Sequence, residues 1–182
     1  MKIYVLRHGQ TDWNAKHLFQ GRADECGLNK DGITQASKAR DEIRDLVFDA
    51  IISSPLKRAQ QTAKIVSEGR KEKYILDQRL AERSYGDFEG KDYSVCPSYD
   101  VLWDYKIKDT SRLGNVEPVE EVFNRVGELI EDLKRQFPDG TVLLVCHGGI
   151  FKAVHYYING FDEETDLLGF HVGNCQIGQY DY

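Results

Sequence analysis

Two apolar runs in this chain end alike: Ile3-Tyr4-Val5-Leu6 leads into Arg7-His8-Gly9, and Thr141-Val142-Leu143-Leu144-Val145-Cys146 leads into His147-Gly148-Gly149. A buried strand that stops on such residues presents them at the carboxyl edge of a sheet, where open α/β folds place their ligands. If the two strands are parallel neighbours, their imidazoles meet at one edge. Arg58 follows Ser53-Ser54-Pro55 at the start of a helix that leaves a third strand, close to the same edge. Two guanidinium groups and two imidazoles would repel one another unless an anion lay among them, and phosphate matches several guanidinium donors at once. Glycine after each histidine lets a backbone N–H approach the anion. The N–H groups of Gly148 and Gly149, near the start of the next helix, would add the field of a helix N-terminus. Asn14 offers a further donor from the loop after the first strand.

The chemistry this set suits is phosphoryl transfer. A neutral, oriented histidine is a competent nucleophile when cations stabilise the equatorial oxygens, and neighbouring arginines favour the neutral form by penalising imidazolium. The leaving oxygen then needs a proton. Glu82, in the loop after a predicted strand, is the expected general acid, and the expected base toward water in a second step.

The elements that must position these groups follow from the hydrophobic pattern. Residues 12–28 lack periodicity and read as a long loop with one short helix, a type of segment that often carries function. A helix starts at Asn29-Lys30-Asp31-Gly32, with Ile33, Ala36, Ala39, Ile43 and Leu46 near one face. Phe48 to Ile52 is a buried strand, and the serine–proline signal starts a helix running from Pro55 to about Glu68. Tyr74 to Leu76 is a short strand, and Arg79 to Gly86 a loop. Residues 91–115 mix Tyr93, Tyr99, Trp103 and Tyr105 with charges and read as an insertion, partly helical, over the domain. Val119, Val122, Phe123, Val126, Ile130, Leu133 and Phe137 form one stripe of a helix over residues 118–137. The near-continuous apolar run from Thr141 to Cys146 has the character of a central parallel strand. A helix over Ile150 to Ile158 and a closing strand over Cys175 to Tyr180 complete the chain. Strands alternating with helices predict an α/β fold with three helix–sheet–helix layers and a mostly parallel central sheet.

Composition narrows the function. The 182 residues carry a net charge of −6, with 41% apolar and 30% charged residues, as expected of an ordinary globular chain. An acidic balance disfavours nonspecific binding to nucleic acid or anionic membranes. The opening turns directly into a strand, without the apolar stretch of a secretory signal, and no segment approaches membrane-spanning length. Four scattered cysteines, Cys26, Cys96, Cys146 and Cys175, form no C-x-x-C pair, which fits reduced thiols in a cytoplasmic protein. His17 is a candidate for the pocket wall, whereas His155 and His171 read as structural. Cys146 and Cys175 read as small buried hydrophobes.

The run from Leu6 to Asn14 resembles the signature of the histidine phosphatase superfamily, also called the phosphoglycerate mutase-like family. The similarity continues through Phe19-Gln20-Gly21-Arg22-Ala23-Asp24, Leu28, Gly32, Gln35-Ala36 and Ser53-Ser54-Pro55-Leu56-Lys57-Arg58-Ala59. It returns in Leu80-Ala81-Glu82, Tyr85 to Gly90, and Val145 to Gly149. The resemblance implies that His8 is the phosphorylated nucleophile, that Arg7, Arg58 and His147 bind the phosphoryl group with help from Asn14, and that Glu82 is the proton donor. Gln20, Gly21, Tyr85 and Gly148, in the matched segments, complete the expected phosphate- and substrate-binding set. It also implies a phosphoglycerate mutase-like fold and no cofactor or metal requirement.

Mutases of the family usually carry a longer insertion with adjacent arginines for the substrate carboxylate. Here the segment has Lys91, Lys106, Lys108 and Arg112, with no Arg-Arg pair. The expectation is therefore one domain over residues 1–182, with the insertion at about 91–115 covering the active site. It would be a metal-independent phosphatase acting on a small phosphorylated metabolite, as a monomer or homodimer, with no nucleic-acid or membrane partner. A cofactor-dependent phosphoglycerate mutase is the alternative, and a non-catalytic phosphate-ester-binding module a third reading.

Overall fold

The apolar run at residues 3–6 alternates its side chains between two faces: Ile3 and Val5 join one hydrophobic cluster, Tyr4 and Leu6 another. A strand buried on both faces requires cover above and below, and the computed structural model, which describes residues 1–72, 74–96, 99–162 and 164–182, supplies it.

Among the described residues five strands form one sheet: β1 (Lys2–Arg7), β2 (Ala50–Ser53), β3 (Tyr74–Leu76), β4 (Thr141–Cys146) and β5 (Ile177–Asp181), in the order β3-β2-β4-β1-β5. The first four run parallel, and β5 pairs antiparallel with β1 at the edge. One face is covered by α2 (Lys30–Glu42) and α3 (Lys57–Val66), whose Ala39, Ala59, Ala63 and Val66 pack with Ile43 on Leu6, Ile51, Leu143 and Val145. The other carries α5 (Val119–Gln136) and α6 (Gly148–Asn159). Two short helices, α1 (Asp12–Ala15) and α4 (Tyr99–Leu102), lie in the loops. Residues 97 and 98 of the expected insertion lie outside the described residues.

Register matters more to the site than strand count. Arg7 stands opposite Cys146, so β1 and β4 end level and the next residues, His8 and His147, emerge side by side. Ser53 pairs with Val145, which brings Ser54 to the same edge.

Several boundaries differ from the sequence expectation. Helix α3 begins at Lys57, two residues after Pro55, and has no side-chain cap. The Lys57 N–H donates instead to Asp24 Oδ1 at 2.6 Å, and Ser54 faces a histidine. Helix α6 begins at Gly148, two residues earlier than Ile150, so both glycines lie in its first turn. Cys175 precedes β5 in a left-handed conformation (φ 55°), and its N–H donates to the carbonyl of Arg7 at 3.1 Å. Ile33 is 50% exposed and outside the core, because the first turn of α2 packs through Gly32. There the backbone meets the loop after β1: a Cβ on Gly9 would lie 2.5 Å from the Gly32 carbonyl oxygen.

Candidate functional site

The parallel strands β1, β2 and β4 deliver their following residues to one edge. Arg7 and His8 come from β1, His147 from β4, and Arg58 from the first turn of α3 after β2. The His8 and His147 rings are 5.1 Å apart. His8 is buried, with Nδ1 2.7 Å from the carbonyl oxygen of Gly9. A carbonyl only accepts, so Nδ1 carries the proton and Nε2 of the neutral ring keeps its lone pair. Burial, then the cations of Arg58 and Arg7, hold His8 well below the ordinary imidazole pKa.

His147 is fully buried, and its Nε2 lies 2.7 Å from Ser54 Oγ. That hydroxyl oxygen already accepts the Leu56 N–H at 3.2 Å, so its own proton is available to the imidazole. With Ser54 as the donor, the hydrogen of the neutral ring is assigned to Nδ1, which has no partner among the described residues. Burial, followed by Arg58, His8, Arg7 and Arg125, also lowers the His147 pKa well below 6.5.

Both arginines spend part of their fork on backbone and keep a donor over. Arg58 gives its terminal nitrogens to the carbonyls of Ala23 (2.9 Å) and Gly21 (2.7 Å), and Arg7 gives one to Val172 (2.5 Å). In each the buried Nε–H has no acceptor among the described residues. Buried polar groups are almost always satisfied, and an unmet donor costs roughly 1–3 kcal/mol, so three of them in one cluster mark a place for an anion.

Glu82 reaches the same volume from the loop after β3, following a short 3-10 turn at Gln78–Leu80. Its carboxylate accepts the N–H of Arg83 (2.8 Å) and of Gly149 (3.1 Å). The Gly149 N–H is thereby committed to Glu82, a correction to the expectation that it faces the anion. A Cβ on Gly149 would stand 2.5 Å from Glu82 Oε1, so only glycine admits the carboxylate there.

Arg7, His8, Asn14, Gln20, Gly21, Arg58, Glu82, Tyr85 and Gly148 all line one cavity of about 600 Å³, with His147 buried behind them. Asn14 Oδ1 takes the Thr11 N–H and the Asn174 amide, which leaves its own NH2 as the donor. Gln20 Oε1 accepts from Thr11 Oγ1 at 2.9 Å.

The wall also contains Tyr93, Tyr99 and Trp103, together with Asp100, Lys152, Asp166 and His171, which sequence reading did not assign to the site. His171 is thus a wall residue and not a structural one, whereas His155 stacks on Phe170 with ring centres 3.8 Å apart. His17 is absent from the lining. Lys152 and Asp166 gave no periodic or motif signal; only the proximity of Lys152 to His147-Gly148 on one helix hinted at its place. Among the described residues no group of three or more His, Cys, Asp or Glu has the arrangement of a metal site, and no helix is long and apolar enough to cross a membrane.

A family model described as histidine phosphatase superfamily (branch 1) matches residues 3–182. The chain belongs to the histidine phosphatase superfamily. A superfamily relative in Bacillus subtilis strain 168, an uncharacterized phosphatase, is 33% identical over 97% of this chain and 89% of its own length. A protein of Enterobacter sp. strain 638 named a probable phosphoglycerate mutase is 30% identical over 100% of this chain and 85% of its own. The solved structure of a mycobacterial glucosyl-3-phosphoglycerate phosphatase complexed with VO3 superimposes with a TM-score of 0.86 at 28% identity, covering 98% of this chain and 91% of that one.

The buried histidines of this superfamily member predict acid sensitivity. Both hold pKa values below 6.5 when folded and return to about 6.5 when unfolded. Between those values the unfolded chain binds more protons, so stability falls as pH drops below about 6.5. The melting temperature is expected to fall between pH 7.5 and pH 5, with a shallower slope in His147→Asn. An equal slope in that variant would assign the effect to other groups.

Proposed function

We propose that this chain is a phosphatase that hydrolyses a small-molecule phosphomonoester through a phosphohistidine at His8. The observation that carries the reading is the set of three buried nitrogens without partners among the described residues, Arg7 Nε, Arg58 Nε and His147 Nδ1, beside an imidazole held neutral with its free nitrogen on Nε2.

In the first step His8 Nε2 forms a bond to phosphorus as the ester P–O bond breaks, and Glu82 gives its proton to the departing alcohol. Arg7, Arg58, the Nδ1–H of His147 and the Asn14 amide hold the equatorial oxygens where charge is spread in the transition state. In the second step Glu82, now ionised, takes a proton from water as its oxygen attacks phosphorus, the P–N bond breaks, and inorganic phosphate leaves. Side chains supply the nucleophile, the proton carrier and the compensating charge. Ser54 acts as a positioning residue, through the tautomer of His147.

Support for water as the acceptor comes from the insertion: Lys91, Lys106, Lys108 and Arg112 are absent from the cavity lining. The relative named a probable phosphoglycerate mutase keeps a second reading in view, in which the phosphoryl group returns to the substrate. One experiment separates them. Rapid acid-free quenching with a labelled ester should trap an alkali-stable, acid-labile phosphoenzyme, and 3-phosphoglycerate with a bisphosphoglycerate primer should yield no 2-phosphoglycerate. Accumulation of 2-phosphoglycerate would make the chain a mutase. Tight binding of esters without turnover would make it a binding module. We place the protein in the cytoplasm on its four unpaired thiols.

A further inference from the structure

Beyond the phosphoryl-binding groups the cavity wall carries charges of both signs. Lys152, on α6, is the wall's ammonium group, and its Nζ donates to the carbonyls of Leu167 (3.0 Å), Leu168 (3.5 Å) and Phe170. Three protons meet three carbonyls, so this cation has no donor left for a guest. Trp103, beside it, is 4% exposed and carries the Lys152 ammonium at 5.6 Å and the Arg83 guanidinium at 4.9 Å from its ring centre. A third cation brought to that ring would meet both.

The carboxylates are arranged otherwise. Asp100 and Asp166 line the same wall, and both continue into an adjoining groove of about 350 Å³ that shares Trp103 and Leu168 with the cavity. Among the described residues the side chain of Asp166 accepts only the Leu168 N–H, at 2.9 Å. A guest carboxylate would be repelled by these two acids, and the Lys152 charge that could offset them already faces Asp166 and has no N–H left to give. Hydroxyl groups, by contrast, donate to carboxylates at no charge cost, and the phenol groups of Tyr93 and Tyr99 complete a surface that can both donate and accept.

We infer that the alcohol part of the substrate is neutral and hydroxyl-bearing, lying between Trp103 and the carboxylates of Asp100 and Asp166, with neither a carboxylate nor an ammonium group. The inference rests on the phosphatase reading and narrows it to a substrate class. It assigns Asp100 and Asp166 to specificity, with Lys152 as a positioning residue that fixes the 167–170 backbone.

The test compares kcat/KM for three small esters: glycerol 3-phosphate, 3-phosphoglycerate, which carries a carboxylate in place of a hydroxymethyl group, and O-phosphoethanolamine. p-Nitrophenyl phosphate serves as a general phosphatase substrate. Glycerol 3-phosphate is expected to exceed each charged analogue by about tenfold or more, the scale of one or two partly screened charges. The Asp100→Asn/Asp166→Asn double variant should raise the ratio of 3-phosphoglycerate to glycerol 3-phosphate by about tenfold, and each single variant should move it part of the way. Preference for either charged ester, or a ratio unmoved in all three variants while p-nitrophenyl phosphate is still hydrolysed, would overturn the inference and leave the phosphatase reading standing. Failure to hydrolyse any ester, p-nitrophenyl phosphate included, would overturn both.

Discussion

His8→Ala should lower the turnover of p-nitrophenyl phosphate by a factor on the order of 10⁴–10⁶, the scale on which loss of a nucleophile acts when the rest of the site survives. The phosphoenzyme should vanish with it. The fold should tolerate the change, because the His8 side chain makes one hydrogen bond, to Gly9, and Arg7, Arg58 and His147 keep their backbone and serine partners. A circular-dichroism melt and a quench experiment on the same preparation would check both halves. Full activity in a folded His8→Ala protein would sink the mechanism.

Glu82→Gln is expected to be the second largest loss, about 10²–10⁴ in kcat for an alkyl phosphate, the usual contribution of a positioned acid. The effect should depend on the leaving group. p-Nitrophenolate departs without a proton, so its first step should be nearly spared, and the deficit should shift to hydrolysis of the phosphohistidine, visible as a burst. The amide also disturbs a local pairing. Glu82 accepts two N–H groups, from Arg83 and Gly149, and glutamine can satisfy only one, so its NH2 would oppose the other donor. That mismatch should cost about 1–3 kcal/mol of stability. Equal losses for both leaving groups in the phosphorylation step would remove Glu82 from its role as general acid.

How far these positions were legible in the sequence depended on distance along the chain. His8 and His147 could be read because each closes an apolar strand, and parallel pairing of β1 with β4 needs only those two patterns to bring the rings together. Arg58 was legible through the strand-turn-helix grammar around Ser53 to Pro55. The same grammar misjudged the start of the helix: Ser54 Oγ takes the Leu56 N–H and lies against His147, and α3 begins only at Lys57.

The wall was the least legible part. Lys152 looks like an ordinary surface residue of α6 until the carbonyls of Leu167 and Phe170 fold back over it. Asp166 and His171 sit in an irregular segment with no period to read. Burial and hydrogen bonding at such positions arise from contacts remote in sequence, which local propensity cannot encode.

The level ending of β1 and β4 has a further consequence, for how such an enzyme can change. Arg7, His8 and His147, proposed to hold and receive the phosphoryl group, stand at the ends of the central strands β1 and β4, whose backbone bonds on both sides hold them to one geometry, and a displaced residue there moves its neighbours. The groups proposed to sort substrates belong to α4 and to the irregular stretch before β5, where an insertion or a side-chain swap disturbs no ladder. Substitutions should therefore be tolerated unequally, heavily penalised at the strand ends and freely sampled along the rim, so that new specificities are open to the scaffold without rebuilding its phosphoryl chemistry.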